Sequence, residues 1–359
     1  MSRRPRASGY FRTGYGQDLS LVETRTERWS LAGLLIVLLA FPLLASPFLL
    51  DLANQVLLAS IGAIALMLLT GYAGQISLGH AGLLAAGAFT AGILYKELNA
   101  PFWVTLPAAA VVGALLGLVF GLPSLRLRGL YLAVSTLALH FVVVYCGGEY
   151  EAKRGFSTGI MIDAPTLGAW TIAGGRTWYF VLGVAAVATL YVCVNLLRSG
   201  TGRAWAALRA NETVAGALGI GVAAHKLLAF VISSALTAAA GALFAYYRGF
   251  VSVEVFSLFL SIQYVAMIII GGIGSMLGAI LGAVFVTLFP YGIEAGLRAL
   301  TGTQRYAGML FAVNYAAFGA VMILVLVLEP LGLVGIWRRI QTYFLLWPFK
   351  HRPMARPHR

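Results

Sequence analysis

Three polar side chains interrupt an otherwise apolar stretch of the sequence. Gln75, Ser77 and His80 lie within GYAGQISLGHAG at residues 71–82, which also contains four glycines. Their amide, hydroxyl and imidazole groups can bind or release a polar solute without covalent chemistry. Non-helical backbone at membrane depth is tolerated only inside protein or beside a wet cavity. We predict that these groups lie near a substrate pathway or its gate; an ordinary cytoplasmic hairpin between two spans is the open alternative.

A second chemical feature is the basic segment 198–226. Apolar residues at three- to four-residue spacing predict one short helix through Arg203–Leu218, with a buried side formed by Ala204, Leu208, Ala215 and Leu218. Gly219 is predicted to end it. The exposed face would carry charged residues, Arg203, Arg209 and Glu212. Such a helix lies on lipid headgroups or docks into a partner's groove, and its small side chains favour docking.

The residues offer little for catalysis. None of the four lysines follows a glycine, so the sequence contains no P-loop to hold ATP. The five histidines form no H-E-x-x-H pair or Cys/His cluster, which predicts no metal site. No G-x-S-x-G nucleophile motif is present. We therefore predict no catalytic residues, no metal ligands and no cofactor.

Composition identifies the elements that must position these features. Of the 359 residues, 60% are hydrophobic and 10% are charged, which predicts an all-α polytopic transmembrane bundle. Ten apolar segments are predicted as spans, at Trp29–Leu50, Leu52–Thr70, Gly79–Tyr95, Trp103–Leu122, Leu130–Gly147, Trp178–Leu197, Leu227–Tyr247, Phe259–Ile270, Met276–Ile293 and Tyr306–Leu328. Glycines spaced four residues apart at 113, 117 and 121 predict close helix packing.

The net charge of +13 orients these spans. With both termini cytoplasmic, 18 of the 25 Lys and Arg residues lie inside and seven lie outside, as the positive-inside rule requires. Residues 1–28 then form a cytoplasmic tail, 29–330 the transmembrane domain with a cytoplasmic loop at 198–226, and 331–359 a basic cytoplasmic tail. The charge meets anionic lipid headgroups, and we expect no nucleic-acid partner.

Several motifs in order resemble a known family. Besides residues 71–82, they are Arg126-Leu-Arg-Gly-Leu-Tyr131 with Thr136-Leu-Ala138, the segment from Gly202 to Ile220, Lys226-Leu-Leu-Ala-Phe230, and Gly271-Gly-Ile-Gly-Ser275. These motifs look like the permease subunits of ABC importers for branched-chain amino acids, and more like the M-type than the H-type permease. By themselves, Arg126 and Arg128 are more simply interpreted as headgroup anchors.

The resemblance implies a transport subunit rather than an enzyme. Its partners would be a second permease in a heterodimer, two cytoplasmic ATPases that bind ATP, and a periplasmic substrate-binding protein in a bacterial inner membrane. A coupling helix would carry Arg203, Trp205, Leu208, Arg209, Glu212 and Gly219. Thr213 and Val214 replace the paired alanines that this family usually has after the glutamate.

Two other classes of function remain as alternatives. An ion-coupled secondary transporter of small metabolites needs carboxylates at membrane depth. Most of the acidic residues here lie at segment ends or in loops, which weakens this hypothesis. A membrane-embedded enzyme would need a nucleophile–base pair or a metal set, and the sequence predicts neither.

Overall fold

The computed structural model describes residues 25–125, 129–156, 159–167, 170–301, 310–329 and 331–346. Within these ranges the chain is a helical bundle, with helices α1 (Arg25–Leu44), α2 (Pro47–Leu66), α3 (His80–Leu98), α4 (Phe102–Ser124), α5 (Leu130–Arg154), α6 (Gly175–Arg198), α7 (Gly200–Ala210), α8 (Glu212–Ala217), α9 (Val222–Arg248), α10 (Leu258–Gly271), α11 (Met276–Thr301), α12 (Leu310–Leu328) and α13 (Gly332–Leu346). A π-helical turn, Met67–Tyr72, extends α2, and a 3₁₀ turn spans Val253–Val255.

Helices α2 and α9 form the centre of the bundle. Helix α9 packs most extensively against α4 and α3, while α2 packs against α6 and α11. Ser46 begins α2 because its side chain accepts a hydrogen bond from Leu49 N, and Pro47 occupies the first turn, where no amide hydrogen bond is lost. Gly249, at φ +73°, ends α9 in the left-handed conformation.

Each of the ten predicted apolar segments overlaps a helix, although Trp29–Leu50 runs past the end of α1 at Leu44 into α2. Not all of them qualify as spans. Seven described helices are long and apolar enough to cross a membrane: α2, α4, α5, α6, α9, α10 and α11. Helices α1, α3 and α12 match the other three segments, and their spanning of the membrane stays a prediction. So does the cytoplasmic position of the termini, since residues 1–24 and 347–359 lie outside the described ranges.

The two ends of the bundle differ in structure. One end, called here the basic end, carries the segment 198–226. The other, the hairpin end, carries two small antiparallel pairs of strands: β1 (Ile160–Met161) with β4 (Phe250–Val251), and β2 (Thr166–Leu167) with β3 (Trp170–Thr171). Helices α2 and α9 each run from one end to the other, so both ends are connected through the central helices.

Two further predicted features are the C-terminal tail and the headgroup anchors. The segment 331–359, predicted as a basic cytoplasmic tail, contains helix α13, which packs against α11 and α10; its cytoplasmic position stays a prediction. Arg339 on this helix pairs with Glu329 at 3.0 Å. The proposed headgroup anchors Arg126 and Arg128 lie outside the described residues.

The spaced glycines of α4 lie where α9 approaches most closely. A Cβ at Gly113 would lie 2.6 Å from Ser234 O, and one at Gly117 would lie 2.7 Å from Ser234 Cβ. Both distances are shorter than carbon atoms tolerate, so each glycine permits backbone contact between α4 and α9. The predicted packing role of these glycines agrees with this arrangement.

The contact between α4 and α9 leads to a stability prediction. Gly117→Ala should destabilise the protein by about 1–3 kcal/mol, because the added methyl group overpacks the interface. Gly183→Ala on α6 is the matched control, since nothing lies within 4 Å of its position. The control should be neutral or slightly stabilising, because alanine favours a helix. Thermal unfolding of both variants in detergent checks this; equal melting temperatures would contradict it.

Candidate gate and coupling site

The segment 71–82 contains a loop, residues 73–79, at the basic end of the bundle, in which Gly74 and Ile76 are exposed and Gln75 and Ser77 are buried. After the π-helical turn the chain runs without regular structure to His80, where α3 begins. Helices on three sides hold it: Thr70 Oγ1 on the π-helical turn donates to Gln75 O at 3.0 Å, Leu78 N to Thr136 Oγ1 at 2.9 Å, and Ala81 N to Ser261 Oγ at 2.9 Å. The loop is therefore fixed by α2, α5 and α10.

The three predicted pathway residues all lie inside the protein. Gln75, Ser77 and His80 are each at most 2% exposed. Gln75 Nε2 donates to Lys226 O at 3.0 Å, and the His80 ring packs 4.7 Å from the Tyr264 ring, centroid to centroid. Gln75 Oε1 and His80 Nε2 have no hydrogen-bond partner among the described residues. Buried polar atoms normally bind something, so both can accept a water or a solute.

The basic segment contains two helices where the sequence predicted one. Asn211 is extended at φ −163° and ψ 112°, which separates α7 from α8. Its side chain accepts from Thr213 N at 3.0 Å and Val214 N at 3.1 Å, which favours a new helix start over continuation. The predicted single helix through Arg203–Leu218 is therefore wrong, because an asparagine that can cap a helix stands at its middle.

The predicted end of this segment at Gly219 is confirmed in its geometry. Gly219 has φ +86°, and its N–H donates to Gly216 O at 3.0 Å. Ile220 N donates to Ala215 O at 3.1 Å. Together these are the two bonds of a Schellman motif, which needs a residue in the left-handed conformation.

The buried side of the segment is centred on Trp205. This residue is fully buried, and its Nε1 donates to His225 O at 2.9 Å. Leu208 is also buried, as predicted. Leu218 was expected on the same side but is 77% exposed, because the break at Asn211 rotates α8 relative to α7.

Two charged residues predicted to face outward also bind the protein: Arg209 is exposed, as predicted, and Glu212 is partly buried. Glu212 Oε1 lies 2.5 Å from Lys226 Nζ, and the Lys226 side chain is only 7% exposed. Arg209 Nη1 donates to Gly71 O, which lies in the π-helical turn at the end of α2. The amphipathic pattern missed both contacts because it compares residues within one helix and contains nothing about the broken segment and α9, which pack beside it. Arg203 is exposed, as predicted.

Arg209 also reaches the second break in the bundle. The glycine-rich loop between α10 and α11 contains Gly274, whose N–H donates to Met67 Sδ at 3.2 Å. A Cβ at Gly274 would lie 2.8 Å from Arg209 Nη1. The guanidinium therefore sits between the two broken segments and contacts both. No feature of the sequence alone predicts this meeting, although both loops are rich in glycine.

The architecture is that of a multi-pass membrane protein with an internal break buried at one end. A family profile described as the permease component of the branched-chain amino acid transport system matches residues 48–327. The chain belongs to this family, and it is a transport component rather than an enzyme.

Individual relatives agree with this assignment. The chain is 31% identical over 339 residues to the high-affinity branched-chain amino acid transport system permease protein LivM of Salmonella typhimurium, covering 88% of this chain and 76% of the relative. It is 27% identical to a probable branched-chain amino acid transport permease protein LivM of Methanocaldococcus jannaschii, over 63% of this chain and 66% of the relative. It is 30% identical to the autoinducer 2 import system permease protein LsrC of an Enterobacter species, over 51% of this chain and 54% of the relative. No solved structure gives a significant match.

The buried ion pair leads to the second prediction. Glu212→Gln should destabilise the protein by about 3–5 kcal/mol, because it leaves the Lys226 ammonium buried without a counter-charge. The double variant Glu212→Gln with Lys226→Met should recover most of this loss. Glu149→Gln is the control, because Glu149 pairs with Lys153 at 3.4 Å on the exposed surface, and it should cost less than about 1 kcal/mol.

Thermal unfolding of the four proteins in detergent measures these differences. Equal effects of Glu212→Gln and Glu149→Gln, or no recovery in the double variant, would show that the buried pair is not the cause.

Proposed function

We propose that the chain is the permease subunit of an ATP-binding cassette importer. It would carry branched-chain amino acids, or related small polar substrates, across the bacterial inner membrane. The observation that supports this most is the family match over residues 48–327, on a bundle with seven helices able to span a membrane. Separate ATPase subunits would bind and hydrolyse ATP, since the sequence has no P-loop.

The proposed orientation places the basic end in the cytoplasm. Segment 198–226 contributes four of the basic residues to this end, and helix α13, which begins beside the Gly271–Ser275 loop, adds Arg338 and Arg339. Short loops rich in Lys and Arg are retained on the cytoplasmic side. The hairpin end would then face the periplasm and the binding protein that delivers substrate. Anionic lipid headgroups would contact the basic end.

Helix α8 is the proposed contact with an ATPase subunit. Val214 on this helix is 53% exposed, and Leu218, directly after its last residue, is 77% exposed. Apolar side chains on a charged, solvent-facing end of a membrane protein mark an interaction surface. A helix that inserts apolar anchors into a groove is a common recognition mode. Arg203 on α7 would lie at the rim of this contact.

The contacts behind α8 give the proposed route from ATPase to gate. A movement of α7 and α8 would act on Gly71 O through Arg209, and on Gln75 through the Lys226 backbone. Gln75, Ser77 and His80 would then line the gate. Shifting the gate almost fully from one of its two states to the other, from closed to open, takes a difference in binding free energy of about 5.5 kcal/mol. Binding and hydrolysis of ATP on the partners would supply it.

Vesicle uptake distinguishes this proposal from an ion-coupled secondary transporter. Vesicles with this chain, its partner permease and both ATPases should accumulate labelled leucine only when ATP and binding protein are present. Vesicles with this chain alone, under an imposed proton or sodium gradient, should show no uptake. Gradient-driven uptake by the chain alone would overturn the importer proposal and favour the secondary transporter.

A second pair of measurements separates ATPase docking from gating. Leu218→Glu should reduce copurification of the ATPase subunits by roughly tenfold or more, because it places a charge in the apolar contact. Met161→Glu is the matched control, since Met161 is equally apolar and 62% exposed but lies at the hairpin end. The control should leave copurification unchanged.

Substitutions of residues behind the docking surface should give the opposite result, with ATPase copurification retained and transport reduced. Arg209→Gln, Gln75→Ala and His80→Ala should retain the ATPase subunits but lower uptake and substrate-stimulated ATP hydrolysis. Gln341→Ala, exposed on α13 at the same end, is the control for a lost amide. Normal uptake in all three variants would contradict the proposed gate, and lost copurification would contradict the proposed division of roles.

A further inference from the structure

A large cavity opens at the hairpin end, away from the gate. Its volume is about 920 Å³, within the range of small-molecule binding sites. The start of α2, the strand region, the start of α6 and the end of α9 enclose it. Its apolar wall includes the buried side chains of Leu50, Ile162 and Trp178. An aliphatic group of a ligand could be desolvated there.

The cavity wall is held by hydrogen bonds as well as by packing. Ile162 N donates to Gly249 O at 2.9 Å, next to the pairing of β1 with β4. Trp178 packs edge-on against Tyr247 with 5.8 Å between ring centroids. Asn54 Nδ2 donates to Gly175 O at 3.0 Å, which fixes the start of α6 against α2. The wall is therefore built from four segments that are tied to one another.

Positive charge lies at the mouth of the cavity. Arg176 and Arg248 both line it and are both exposed. Neither forms an ion pair among the residues that the structure describes. Arg248 Cζ lies 5.8 Å from the Tyr247 ring centroid and 5.9 Å from that of Phe244, so the rings orient the guanidinium. A guanidinium without a counter-charge is suited to bind a carboxylate in a bidentate manner.

A negative group lies in the same cavity. Asp51 lines it, and its Oδ1 accepts a hydrogen bond from Tyr247 OH. Its Oδ2 accepts from Gln55 Nε2 at 2.7 Å. A carboxylate has about four acceptor sites, so two remain for a ligand ammonium group. Tyr247 thus contacts Asp51 through its hydroxyl group and Arg248 through its ring, which places both charges on one wall.

We propose that this cavity binds the zwitterion of an α-amino acid with an aliphatic side chain. The ligand carboxylate would bind Arg248 and Arg176, its ammonium group Asp51, and its side chain the wall formed by Leu50 and Ile162. The cavity would receive substrate at the hairpin end before the gate opens. This inference deepens the proposed function and rests on it for the direction of transport, while binding itself can be measured separately.

Binding of labelled leucine to the full chain, with any copurifying partners, tests the site. The protein is placed in nanodiscs of phosphatidylglycerol, which carry no zwitterionic headgroup. Leucine should bind saturably, whereas leucinol, which lacks the carboxylate, and 4-methylpentanoate, which lacks the ammonium group, should compete at least tenfold more weakly, because each loses one charge-assisted contact.

Variants assign the binding to these residues. Arg248→Gln and Asp51→Asn should each weaken leucine binding about tenfold. Arg154→Gln is the matched control, because Arg154 is exposed at the same end, pairs with Glu97 at 2.8 Å and does not line the cavity. It should bind leucine normally. Arg248 is exposed, so its variant should fold even if Asp51→Asn does not.

Several results would overturn the inference. These are unchanged leucine binding in Arg248→Gln, equal competition by leucinol and leucine, or saturation by lysophosphatidylethanolamine without any response to leucine, which would identify a lipid headgroup site. If these occur while ATP-driven uptake by the complete importer persists, the cavity assignment fails and the proposed function stands. Leucine binding without ATP-driven uptake would retain the cavity and reject the importer.

Discussion

The structure of the basic end depends on one constraint: backbone groups freed by a break in a membrane helix must find partners. The π-helical turn at Met67–Tyr72 ends α2 and leaves carbonyl groups near its final turn. Arg209 donates to one of them, Gly71 O. Because Arg209 belongs to α7, this hydrogen bond connects α7 directly to the broken segment, which α7 would have to move in the proposed coupling. The same requirement of backbone satisfaction explains the contacts of the following loop with Thr136 and Ser261.

Much of the fold could be predicted because helix formation in a membrane is encoded locally. Each predicted apolar segment overlaps a helix, and the spaced glycines of α4 meet α9 as their pattern indicated. The hairpin end was less predictable. The polar stretch 148–177 contains the end of α5 and the start of α6, and its strands are two residues long. Pairing of β1 with β4 joins residues about 90 positions apart, which no local pattern contains.

The candidate site was predictable in its composition but not in its contacts. Gln75, Ser77 and His80 were identifiable as polar groups in an apolar run, and they are buried. The pattern placed Arg209 and Glu212 on an exposed face and missed their contacts: Arg209 is exposed and also donates to Gly71 O, while Glu212 is partly buried against Lys226. Lys226 carried the signal that could have corrected this: a lysine beside a long apolar run requires a nearby acid if it is buried.

Helix α2 connects the two ends of the molecule in a way that bears on coupling. Asp51 lies near its start in the hairpin-end cavity, and the π-helical turn lies at its other end beside Arg209. The continuous segment Pro47–Tyr72 has 26 residues, so it spans about 39 Å, more than the apolar core of a bilayer. A π-helical turn is a local departure from the regular hydrogen-bond ladder, and such departures are where long helices bend. In the proposed coupling, a movement at the basic end would bend the segment at Met67–Tyr72, while the rest of α2 stays packed against α6 and α11.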